Sequence, residues 1–271
     1  MQPEHQSESH FSPFSSSVSS CKDRARTRSI LLHTDLPDEF QISVATTEED
    51  WAQALALVHR SYLSRSLVKE ADAPYYATPL HLRAPLTLIQ AKLGTSIMGT
   101  AGLVKNSADG FPLEKVFQVP FLEPLRSRCA EITGLAISSK IQIPGGLVFP
   151  LFKYLYQFST QTLDVDYLLI AVHPGHIRFY EQLLLFDRLS AKAVSGPEYM
   201  EGAPAIPAIL DLKRATERVK EMYHGENPER NLYSYMHELK LPNLVYPETY
   251  QMGCPEGDLR EHLRIKLGME S

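Results

Sequence analysis

At 271 residues, with 44% hydrophobic and 22% charged side chains, the chain has the composition of a globular protein that buries a substantial core in one domain with terminal additions. A net charge of -5 and a pI of about 6.1 exclude bulk attraction to nucleic acid or to an anionic membrane. No apolar run approaches the roughly 20 residues of a transmembrane segment, and the N-terminus lacks the apolar stretch of a signal peptide, so a cytoplasmic location is expected. The three cysteines, Cys21, Cys129 and Cys254, are widely spaced without a metal-ligand pattern, as reduced thiols are, and no metal is expected.

Residues 1–35 are rich in Ser, His and Gln, cannot bury enough apolar surface to offset their ordering entropy, and read as a disordered tail; the basic cluster Lys22, Arg24, Arg26, Arg28 reads as part of it. Phe40 to Val44 alternates apolar and polar as a half-buried strand does. Thr47 followed by Glu48, Glu49 and Asp50 is an N-cap with an acidic first turn, and Trp51, Leu55, Val58 and Tyr62 then recur at helical spacing. A loop with Pro74 and Pro79 leads to strands at 86–91 and 96–104, and Asp109-Gly110 marks a turn. An irregular piece from Leu113 and a helix after Pro120 precede a strand at 130–137, a loop with Pro144-Gly145-Gly146, and a helix with Leu147, Leu151, Tyr154, Leu155 and Phe158 on one side. Tyr167 to Val172 is a continuous apolar run of the kind buried inside a sheet. His173-Pro174-Gly175 turns it into a helix with Ile177, Tyr180, Leu183 and Leu184, and a strand at 208–212 closes the core. The order is that of a mixed α/β protein with one sheet covered by helices. Residues 214–271 form a charged, mostly helical extension broken near Pro228, Pro242 and Pro255.

Two residues carry the candidate chemistry. Glu131 stands at the start of an otherwise apolar strand, where burial would raise its pKa toward the range of a general base; an edge position, or pairing with Arg126 or Arg128, is the structural alternative. Tyr180 falls on the inner face of its helix, where a phenol serves as a general acid or as an ordinary core residue. His173 and His176 read as turn and cap residues. Gly145 and Gly146 open a helix whose free N–H groups suit a phosphate, or simply loosen a loop. No Walker loop, GxGxxG or GxSxG occurs.

The run from Phe40 to Lys213 resembles the GNAT-type acyltransferases. Within that superfamily it is most similar to the N-acyl amino acid synthases of the FeeM type, relatives of the acyl-homoserine lactone synthases. The likeness is carried by Pro112-Leu113-Glu114-Lys115-Val116-Phe117, by Glu131-Ile132-Thr133 with Leu135-Ala136-Ile137, and by His173-Pro174 with Arg178-Phe179-Tyr180. The resemblance implies a mostly antiparallel central sheet flanked by helices, and transfer of a long acyl chain from acyl carrier protein to the amine of an amino acid. Glu131 would deprotonate the amine, backbone N–H groups at Leu135 and Ala136 would hold the oxyanion, and Tyr180 would protonate the leaving sulfur. Gly145 and Gly146 would contact the donor, with no tightly bound cofactor. The chain departs from the pattern at Gly134, where an arginine is expected, at Leu185-Phe186, and in the irregular loop 140–146, which suits a carrier-protein donor lacking the adenosine diphosphate of CoA. Phe149, Phe152 and Tyr156 are candidates for an acyl channel or for core packing. A CoA-dependent GNAT N-acetyltransferase and a non-catalytic GNAT-like binding module are the alternatives.

Overall fold

The central strands are buried on both faces, and the two faces of the sheet collect separate cores. The computed structural model describes residues 32, 36–68, 74–83, 85–106, 110–141, 146–195 and 203–269. The expected disordered tail lies outside the described residues except for Leu32, as do Asp109 of the expected turn and Pro144-Gly145 of the loop.

In chain order the elements are β1 (Phe40–Val44), α1 (Glu48–Leu63), α2 (Leu80–Arg83), β2 (Leu86–Leu93), β3 (Ser96–Lys105), two 3-10 segments (Pro112–Lys115 and Pro120–Arg128), β4 (Cys129–Ile137), α3 (Val148–Gln161), β5 (Tyr167–Val172), α4 (Ile177–Leu183), β6 (Asp187–Arg188), β7 (Val194–Ser195), β8 (Pro204–Asp211), α5 (Leu212–Met222) and α6 (Asp258–Lys266). One eight-stranded sheet runs β1-β2-β3-β4-β5-β8-β6, with β7 paired to β8. All pairings are antiparallel except β4 with β5. This is the expected mixed, mostly antiparallel sheet flanked by helices.

Helix α1 starts where the sequence places it, with the Thr47 hydroxyl accepting from the Asp50 N–H at 3.1 Å. It packs Trp51, Leu55 and Val58 with Leu86 and Leu88 of β2 on one face of the sheet. Ile89 and Ala91 of the same strand turn to the opposite face, against Leu151, Leu155 and Phe158 of α3. Strand β8 begins earlier than the expected 208, at Pro204. Pro207 has no N–H to donate, yet it sits opposite Ala171 and its carbonyl accepts from Leu189 N–H at 2.9 Å. The two-residue strands β6 and β7 were not anticipated.

Beyond α5 lie a 3-10 turn (Pro228–Arg230), a π-helix (Ser234–Glu238) and an irregular run from 239 to 257 that leads to α6. The run covers the exposed edge of β1: Ile42 N–H donates to Asn243 O, and Val245 N–H donates to Ile42 O. Lys153, buried in α3, donates to the carbonyls of Tyr235 (2.5 Å) and Met236 (2.9 Å) and fixes the π-helix to the core.

Candidate active site

The parallel pairing of β4 and β5 lasts for three residue pairs, Cys129 with Tyr167, Ala130 with Leu168 and Glu131 with Leu169. Past that point the strands part, and a cavity of about 640 Å³ opens between them. Its walls include Ile132, Thr133 and Leu135 of β4, Ile170 and Val172 of β5, Phe179 and Tyr180 of α4, and the end of α1. That volume lies within the range of small-molecule sites, roughly 300–1,000 Å³.

Glu131 stands at the fork. Its neighbours Ala130 and Ile132 face the α3 core, so its own side chain points to the opposite face, toward the 3-10 segment that begins at Pro112. The residue is 3% exposed. Burial pushes its carboxyl up to about 8, opposed by the Leu113 N–H that donates to Oε2 at 3.0 Å. Neither arginine considered as a structural partner reaches it: Arg126 pairs with Glu114 and Glu123, and Arg128 with Asp166. The Leu113 turn is itself braced, because Glu114 accepts from Phe111 N–H at 2.8 Å and from both terminal nitrogens of Arg126.

Tyr180 lines the same cavity from α4. Its ring meets those of Phe152, Phe179 and Phe186 edge to face, with centroids 5.5–6.0 Å apart. Burial raises its phenol to about 12, against the pull of Arg65. The structure therefore brings the two residues singled out in the sequence to one space.

Strand β4 carries a bulge beside that space. Thr100 of β3 faces Ala136 and Gly102 faces Thr133, so Gly134 and Leu135 share Ala101 as their single partner. Gly134 is the residue that makes it possible, with φ at 58° in the left-handed region. The bulge reverses the facing of the residues beyond it. Ala136 has the same parity as Ala130 and Ile132, yet it packs with Val58 on the α1 face. Leu135 lines the cavity and Ala136 does not. Gly146 is exposed just ahead of α3, and Gly145 is outside the described residues.

Phe149, Phe152 and Tyr156 are not cavity residues; they pack in the core, and Phe152 and Tyr156 border only a separate void of about 40 Å³. The apolar wall is built instead from Ile132, Ile170, Phe179, Val116 and Phe117. His173 accepts from the Gly175 N–H at 3.1 Å, which suits a turn residue, although both it and His176 also border the cavity. Sequence reasoning missed Leu113 as the donor to Glu131, and Tyr62 and Arg65 as cavity residues. Tyr62 was read only as part of an apolar helix face, and Arg65 follows the last periodic residue of α1. Among the described residues no group of three His, Cys, Asp or Glu side chains is placed to hold a metal, and no helix is long and apolar enough to cross a membrane.

Comparison with solved structures finds similar architecture in FeeM, an N-acyl amino acid synthase from uncultured soil microbes, at 22% identity and a TM-score of 0.53, covering 66% of this chain and 93% of that one. The CoA-dependent acyl-homoserine lactone synthase BjaI, with SAM and isopentyl-CoA, is similar at 14% identity and a TM-score of 0.55, covering 83% of this chain and 99% of that one. At these identities the likeness is one of fold. No curated protein matches the chain in sequence. The fold is shared with these synthases, and it is the sequence that defines the class, an N-acyltransferase. The sequence profile of the N-acyl amino acid synthase FeeM matches residues 53–211. The chain belongs to that family.

Proposed function

We propose that this enzyme transfers a long acyl chain from acyl carrier protein to the amine of an amino acid. The observation that carries the reading is the buried Glu131 carboxyl at the fork of β4 and β5, raised to about 8 and held by one backbone N–H. A carboxylate of that basicity takes a proton from an ammonium far more readily than an exposed one, whose value is about 4.3. The freed amine attacks the thioester carbon. The oxyanion that forms is held by N–H groups at Leu135 and Ala136, next to the bulge that releases part of the β4 ladder from pairing. The carbon–sulfur bond then breaks, giving the amide and the carrier thiol.

Tyr180 serves the departing sulfur. A phenol at about 12 is a weaker acid than a thiol, ordinarily about 8.5. Its larger contribution is a hydrogen bond to the developing thiolate, with the proton delivered as charge builds on sulfur. The apolar wall of Ile132, Ile170 and Phe179 suits an acyl chain, and Gly146 with Gly145 would meet the carrier arm at the start of α3. The irregular glycine spacing of that loop favours a carrier-protein donor over CoA.

The test is incubation of the purified protein with one long acyl chain loaded on acyl carrier protein or on CoA, together with the proteinogenic amino acids, followed by mass spectrometry. An N-acyl amino acid formed from the carrier-protein donor is the expected result. Product from acyl-CoA alone reassigns the donor, and no product with any amine contradicts the reading.

A further inference from the structure

Glu131 is the only carboxylate, and Arg65 the only guanidinium or ammonium group, among the described residues that line the large cavity. Arg65 is brought there by the way α1 ends. Ser66 adopts the left-handed region at φ 54°, its N–H donates to Leu63 O at 3.0 Å, and Leu67 N–H reaches back to Tyr62 O at 2.9 Å. A non-glycine residue in that conformation is strained, and such strain gathers where a site needs it. The turn it makes sets Tyr62, Arg65 and Leu67 together on the cavity wall.

Arg65 Nη1 donates to the Ser61 hydroxyl at 3.0 Å, and no carboxylate among the described residues forms an ion pair with it. An arginine carries five N–H donors in a fixed fork suited to a carboxylate. Its charge also acts on the phenols of Tyr62 and Tyr180, so it stands within electrostatic reach of the reacting end of the cavity.

We infer that Arg65, with Tyr62 beside it, binds the carboxylate of the acceptor amino acid while Glu131 receives the ammonium, so that the zwitterion spans two opposite charges. This rests on the acyl-transfer reading above. The competing anion is the donor's phosphate, for which the N-terminus of α3 is the better-suited place; Val148 of that first turn lines the same cavity, so experiment separates the two anions. Glu131 and α1 share one face, and the acceptor belongs there.

Steady-state kinetics separate these cases. The acceptors are the L-amino acid turned over fastest and its carboxamide, which keeps the amine and loses the charge. The wild type is expected to favour the free acid, and Arg65→Met to bring the kcat/KM ratio of acid to carboxamide down by on the order of tenfold to a hundredfold, through the acceptor KM. Arg65→Lys should restore part of the preference. Equal use of the two acceptors by the wild type, or a rise in donor KM with both acceptors affected alike, overturns the assignment. Calorimetry with N-dodecanoylglycine and its methyl ester reads the same subsite without turnover. The acid should bind tighter than the ester to the wild type and equally to Arg65→Met, whereas no discrimination by the wild type overturns the proposal. Absence of turnover together with this discrimination would sink the acyl-transfer reading and leave the carboxylate subsite standing.

Discussion

The main-chain N–H of Leu113 meets Oε2 of Glu131 at 3.0 Å, and it is the one hydrogen bond that the almost fully buried Glu131 carboxyl receives from the described residues. One donor opposes the burial cost without cancelling it, and the carboxyl stays protonated to about pH 8. Between the ordinary carboxyl value of 4.5 and about 8, the folded chain therefore holds a proton that the unfolded chain has released. Stability contributed by this group falls as pH rises through that window. Glu131→Gln removes the titration, so its urea stability should flatten with pH and exceed the wild type at pH 8 by on the order of 2–4 kcal/mol.

Tyr180→Phe keeps the ring that packs with Phe152, Phe179 and Phe186 and deletes only the hydroxyl. The melting temperature should stay within a few degrees of wild type. A hydrogen bond to a developing thiolate is worth roughly 1.5–3 kcal/mol, so kcat should fall roughly tenfold to a hundredfold. Single-turnover rates measured beside the acceptor KM distinguish this from a binding effect.

Gly134→Ala isolates the backbone of the bulge. A Cβ there would meet only Val58 Cγ2, at 3.8 Å, so the cost is conformational. A left-handed alanine costs about 1–2 kcal/mol and an asparagine less. Urea denaturation should rank glycine above asparagine above alanine, and kcat should follow the same order if the bulge aims N–H groups at the oxyanion.

Lys153→Met takes the ammonium donor from the buried carbonyl of Tyr235 and leaves that of Met236 with the Gln157 amide at 3.2 Å. The expected loss is on the order of 1–3 kcal/mol in equilibrium unfolding, with faster hydrogen exchange confined first to residues 234–245. A variant as stable as wild type would show that the π-helix is held by its apolar contacts alone.

The sheet was legible where its signals are local. The alternation of β1, the Thr47 cap and acidic turn of α1, and the unbroken apolar run of β5 each sit within a few residues, and each element formed where those residues stand. The start of β8 at Pro204 has no such local signal, because a proline's place in a strand depends on which partner strand asks for an N–H. Gly134 showed in the sequence only as a departure from a pattern; that it is a bulge emerges from its register against Ala101 on β3. The carboxyl and the phenol were visible as residues out of place or on an inner face, but the cavity joining them arises because β4 and β5 stay paired for only three residue pairs. Arg65 carried no signal, since a serine rather than a glycine takes the left-handed turn after α1.

The most direct test of Glu131 as the base is the pH dependence of kcat/KM for N-acyl amino acid formation, wild type beside Glu131→Gln. A base must be ionised to act, so the wild-type rate should climb tenfold per pH unit from below and level off above about pH 8. The variant should lose on the order of 10²–10⁴-fold at the plateau and show no limb near that pH. A wild-type profile flat from pH 6 to 9, or a Glu131→Gln enzyme that retains both rate and limb, would contradict the account.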